Sequence, residues 1–130
     1  MLAAANIPHL ANWAAGWTLI LAGFLSGAAL GLRFHHDDFL GGYASFRRRT
    51  LRLGHIAMVA LGALNVLYGL SPLPSGRLGS AAAVAWIAGA IAMPTACLLT
   101  AWRPTWRRAF PIPVVLLLTA VILTLIGGWS

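Results

Sequence analysis

The chain has no lysine, two acids and one cysteine in 130 residues. Each shortage removes a class of function. Cys97 cannot close an internal disulfide, and no C-x-x-C or C-x-x-C-H is present. An iron–sulfur cluster, covalent c-type haem or zinc–thiolate site is therefore not expected within the chain. The two acids, Asp37 and Asp38, adjoin each other in a polar connection, and no Asp, Glu, Lys or Arg falls at depth in an apolar run. A proton-coupled exporter needs such a group to exchange protons with its substrate. A hydrolase needs a nucleophile–base pair or a metal cluster. Neither constellation is visible, so an autonomous enzyme or a proton-driven transporter is not expected.

Charge is scarce altogether. Only 8% of the residues are charged and 60% are apolar, where a soluble domain carries about 25% charge. Mean hydropathy is +0.84. The composition is that of an integral membrane protein, and the length accommodates about four spanning helices of roughly 20 residues. The expected fold is all-α, a four-helix bundle forming a single transmembrane domain over residues 1–130. The formal charge of +7 comes from nine arginines placed between apolar runs, which is a topology signal rather than a nucleic-acid surface. Abundant Ala, Gly, Arg and Leu without lysine suggests GC-rich bacterial coding, hence a multi-pass protein of a cell inner membrane.

Four spans are predicted: Trp13 to Leu32, Leu53 to Leu70, Ser80 to Trp102, and Pro111 to Trp129. Residues 1–12 read as a lead-in. The first span has no basic n-region and is longer than a typical signal-peptide core, so it is expected to remain uncleaved. Arg33 to Arg52 is the longest polar connection. In it, Phe39, Tyr43 and Phe46 recur at i, i+4, i+7, the spacing of a short amphipathic segment lying in the interface, although Gly41-Gly42 disfavours a helix there. Asp37 and Asp38 are expected to pair with neighbouring arginines. A turn is predicted over Ser71-Pro-Leu-Pro-Ser-Gly76. The third span is alanine-rich with Pro94 inside it and is expected to be central. The fourth, rich in Leu, Val and Ile, is expected at the periphery. Eight arginines fall beside the first and third connections, and Arg77 alone falls on the other side. The positive-inside rule then places both termini on the non-cytoplasmic side.

Two patterns mark packed faces. Gly23, Gly27 and Gly31 stand at i, i+4, i+8, a groove where another backbone can approach. His55, Met58, Gly62, Asn65 and Gly69 form a second stripe on one helical face, small, polar or polarisable, and expected to face protein. Asn65 must find a partner, because an unpaired amide in hydrocarbon costs several kcal/mol. Thr18, Ser26, Thr95 and Thr100 are candidates. Met58 and Met93 read as gap-fillers, and Cys97 as a small buried hydrophobe.

The candidate ligand-binding residues are His35, His36, His55 and Asn65. The three histidines fall at one membrane surface, where two imidazoles could ligate a haem b, or Asn65 could contact a haem edge or a quinone. His9 lies at the opposite surface. The favoured expectation is instead structural, with His55 and Asn65 bonding neighbouring helices and no resident cofactor or metal. The expected role is that of a non-catalytic subunit or accessory protein, packing in the lipid bilayer against itself or another integral membrane protein and binding no nucleic acid. A small redox subunit using haem b or quinone is the alternative, and a small-solute carrier the third.

Overall fold

The computed structural model describes residues 7–72 and 76–129. Four helices fill most of them: α1 (Ile7–Arg33), α2 (Phe46–Leu70), α3 (Gly76–Trp102) and α4 (Pro111–Trp129). Short 3-10 segments at Phe39–Gly41 and Pro104–Ala109 lie in the α1–α2 and α3–α4 connections. No strand occurs among the described residues. All four helices are long and apolar enough to cross a membrane. The 27 residues of α1 extend roughly 40 Å at about 1.5 Å per residue, beyond a hydrocarbon core of about 30 Å.

Three boundaries differ from expectation. Helix α1 starts at Ile7 rather than Trp13, which brings His9 and Asn12 into the helix. Helix α2 starts at Phe46 rather than Leu53, so the arginine block occupies its first two turns. The physical cause is Ser45, which has extended φ/ψ and accepts a hydrogen bond from the Arg48 amide at 3.1 Å. A serine there satisfies one of the open donors that every helix start leaves. Helix α3 starts at Gly76, whose φ is +69°. Part of the predicted Ser71–Gly76 turn, residues 73–75, lies outside the described residues.

The interfacial helix through Phe39, Tyr43 and Phe46 does not form. Leu40, Gly41 and Gly42 all have positive φ, at 58°, 85° and 90°, and a right-handed helix cannot continue through them. The Ser45 hydroxyl holds this reversal by donating to the Leu40 carbonyl at 2.7 Å. Asp37 and Asp38 also depart from expectation. Both are exposed, and neither pairs with an arginine among the described residues.

Packing follows chain order: α1 against α2, α2 against α3, α3 against α4, with a smaller α1–α3 contact. Along its apolar window α3 is 50% buried, against 11% for α1 and for the segment containing α4. Alanine explains this difference, because Ala82, Ala83, Ala85, Ala90 and Ala96 are all buried and let three neighbours approach. Pro94 is buried within α3 without dividing it. Helix α4 packs on α3, where Leu117 fills the space above Gly89. Its Leu118, Ile122 and Leu125 point away from the other helices.

Candidate functional site

The sequence-predicted residues divide between the two ends of the bundle. Toward the end where α1 begins, two buried amides meet. Asn12 Nδ2 donates to Asn65 Oδ1 at 2.9 Å and to the Ala83 carbonyl at 3.1 Å. Asn65 Nδ2 donates to the carbonyls of Leu61 and Trp86 at 3.0 and 3.2 Å. Both asparagines are fully buried. Each amide nitrogen faces only acceptors, which fixes both amide orientations. The pair therefore joins α1, α2 and α3, although Asn12 Oδ1 itself lacks a partner among the described residues.

None of the four expected hydroxyls reaches Asn65. Thr18, Ser26 and Thr95 bond carbonyls three or four residues back in their own helices, as hydroxyls in helices commonly do. The buried Thr100 hydroxyl has no partner among the described residues. Sequence reading misses Asn12 because it falls in the lead-in, outside the first predicted span. A signal was available, since Asn12 precedes Gly16 by four residues and shares its face.

Aromatic contacts extend this polar layer to every helix. His9 stacks on Tyr68 with centroids 5.9 Å apart, and Tyr68 lies 6.4 Å from Trp86. The Tyr68 hydroxyl donates to the Gly79 carbonyl at 2.8 Å. Trp86 Nε1 donates to the Thr124 hydroxyl on α4 at 3.0 Å.

Between the ends runs a seam of small residues. A Cβ on Gly16 would stand 2.5 Å from the Gly62 carbonyl oxygen, and one on Gly62 would stand 2.8 Å from the Gly16 carbonyl oxygen. Gly69 lies against His9 and Trp13, Gly23 against Val59, and Gly27 against the His55 imidazole. Gly31 does not join them, and a Cβ there would meet nothing within 4 Å. Helical geometry gives the reason. At 3.6 residues per turn, the i, i+4, i+8 series drifts roughly 40° per step, so Gly31 stands about 80° away from Gly23. Gly16 and Gly23, seven apart, stay aligned.

His55 is half-buried on this seam, with Nδ1 3.3 Å from the Ser26 hydroxyl. His35 and His36 are exposed in the α1–α2 connection. Among the described residues no three His, Cys, Asp or Glu side chains gather as a metal site. Asn65 makes bonds through both its oxygen and its nitrogen, and the His55 ring lies against Gly27 of α1.

At the opposite end the arginines have a role that sequence reasoning missed. Arg48 is 3% exposed. Its Nη2 donates to the Phe34 carbonyl at 2.7 Å, and its guanidinium carbon sits 4.4 Å from the Phe34 ring centroid. Arg47 Nε donates to the Ala101 carbonyl at 2.8 Å. Phe34 and Ala101 lie at the carboxyl ends of α1 and α3, where unpaired carbonyls concentrate negative potential. The start of α2 thus caps two neighbouring helices. Arg52 stacks over Tyr43 at 4.7 Å, a cation–π contact. Exposed Trp102 and Trp106 lie at this end, and exposed Trp13 and Trp129 at the other. Neither a protein family, nor a curated protein, nor a solved structure matches the chain.

Proposed function

We propose that the protein is a multi-pass membrane subunit without catalytic chemistry of its own, which packs as an accessory component against a larger integral membrane complex or against copies of itself. The observation that carries this reading is the destination of its polar side chains. Of the buried polar residues, Asn12, Arg48, Thr50 and Asn65 all bond to the chain's own helices or helix ends. Thr100, the other buried polar residue, has no partner among the described residues. Small size, apolar outer faces and close-packed helices complete the picture of a structural component.

The arginine-rich end is assigned to the cytoplasmic side of a bacterial inner membrane and both termini to the other side, on the positive-inside rule. Tryptophans at both ends support an orientation across a bilayer, since indoles favour the interface. Native electrophoresis of membranes solubilised in mild detergent tests the assignment. The chain is expected to migrate in an assembly larger than one copy, and migration as a monomer throughout contradicts it.

The redox alternative rests on His55, an imidazole among apolar helices, as the candidate haem b ligand, with Asn65 contacting haem or quinone. Purified protein is expected to show no Soret absorbance. A stoichiometric band, lost in His55→Ala with the helices intact, replaces the accessory reading with the redox one.

A further inference from the structure

We propose that the groove between the α1–α2 connection, the start of α2 and the end of α3 seats an anionic phospholipid, with the phosphodiester on Arg47 and an acyl chain along Leu51 and Leu98; the proposal rests on the membrane reading above. The groove has a volume of about 310 Å³, and its walls include Phe39, Leu40, Leu51, Leu98 and Trp102. That size lies at the lower end of ligand sites, which run from about 300 to 1,000 Å³. Arg47 is the single charged residue lining it.

The bond from Arg47 Nε to the Ala101 carbonyl fixes the guanidinium at the groove. Its two terminal nitrogens make no hydrogen bond among the described residues. A planar guanidinium held by one nitrogen, with the other two open, suits two oxygens of a phosphate. The apolar walls suit the hydrocarbon that a phospholipid carries and that free phosphate lacks. Trp102, 77% exposed, lines the same groove and suits a bilayer interface, which indoles favour.

Charge selects the headgroup. The same end carries Arg33, Arg49, Arg52, Arg103, Arg107 and Arg108, while the only acids are Asp37 and Asp38. A basic pocket between spanning helices at a cytoplasmic surface attracts anionic lipid over zwitterionic lipid.

The full chain, reconstituted in nanodiscs of equal phosphatidylglycerol and phosphatidylcholine and released for native mass spectrometry, tests the proposal. Phosphatidylglycerol is expected to be retained preferentially. Arg47→Gln is expected to lower that retention about fivefold, the loss of one arginine contact near an anionic surface. Leu98→Trp fills the groove from an exposed position and is expected to lower retention with helical circular dichroism unchanged. Arg49→Gln, outside the groove, is expected to lower retention by less than Arg47→Gln does, because it removes only a share of the general charge. Equal retention of the two lipids overturns the site, as does an Arg49→Gln loss matching that of Arg47→Gln, or no loss in Arg47→Gln and Leu98→Trp. A chain that enters neither nanodiscs nor detergent micelles overturns the membrane reading as well, whereas one that inserts without lipid preference overturns the lipid site alone.

Discussion

At the end where α1 begins, neutral amides and aromatic rings connect the helices through their sides. Asn12 and Asn65 exchange a hydrogen bond and reach carbonyls of α3, while Trp86 continues the connection to Thr124 on α4. At the other end, guanidinium groups connect the helices through their tips, with Arg48 on the Phe34 carbonyl and Arg47 on the Ala101 carbonyl. The difference follows from dielectric and reach. A neutral amide can be buried wherever acceptors meet it, but a guanidinium is costly at depth and suits the interface, where its stem covers apolar surface. Helix carboxyl ends also concentrate negative potential there. Between the two ends glycine contact predominates, with the Ser26–His55 contact as the polar exception, the close packing by which helices associate in lipid.

Substitution in the glycine seam is expected to have the largest effect. Gly16→Leu places a side chain against the Gly62 carbonyl and Val66, neither of which can retreat without separating α1 from α2. A loss of about 3 kcal/mol is expected in reversible detergent unfolding. Gly31→Leu, in open space, should remain within about 0.5 kcal/mol of wild type. Equal losses at the two positions would remove the distinction between seam and surface.

Breaking the arginine end comes next. Arg48→Ala removes a buried charged donor and leaves the Phe34 carbonyl without it. A loss of roughly 2 kcal/mol is expected, measured by the same unfolding assay. Arg49→Ala, at an exposed position, should change stability by less than about 0.5 kcal/mol. If both arginines behave alike, the block acts through charge alone and not through capping.

Sequence pattern revealed the helices because long apolar runs are their own signal. It also separated alanine-rich α3, central and half buried, from aliphatic α4 at the margin. The helix starts were harder to read. Polar residues such as Asn12 and the arginine block resemble loop when hydropathy sets the boundary, although Ser45 marks a helix start by its capping chemistry. The face carrying His55, Gly62, Asn65 and Gly69 was legible from spacing. Its partner residues were not, because the contact Asn65 makes with Asn12 joins positions 53 residues apart and depends on how two helices align. Gly31 illustrates the related limit, since four-residue spacing drifts off a straight helix face while the seven-residue spacing of Gly16 and Gly23 holds.

The smallest expected effect tests the central claim, that buried Asn12, Asn65 and Arg48 join the chain's own helices. A double-mutant cycle with Asn12→Ala, Asn65→Ala and the combined variant, measured by reversible unfolding in detergent, isolates the energy between the two amides. Polar pairs between membrane helices couple by about 0.6 kcal/mol on average and reach about 1.7. This pair, fully buried at 2.9 Å with both orientations fixed, is expected near the upper half of that range, at about 1 kcal/mol. Strict additivity of the two substitutions, within about 0.3 kcal/mol, would show that the amides do not hold α1 to α2 and would contradict the claim.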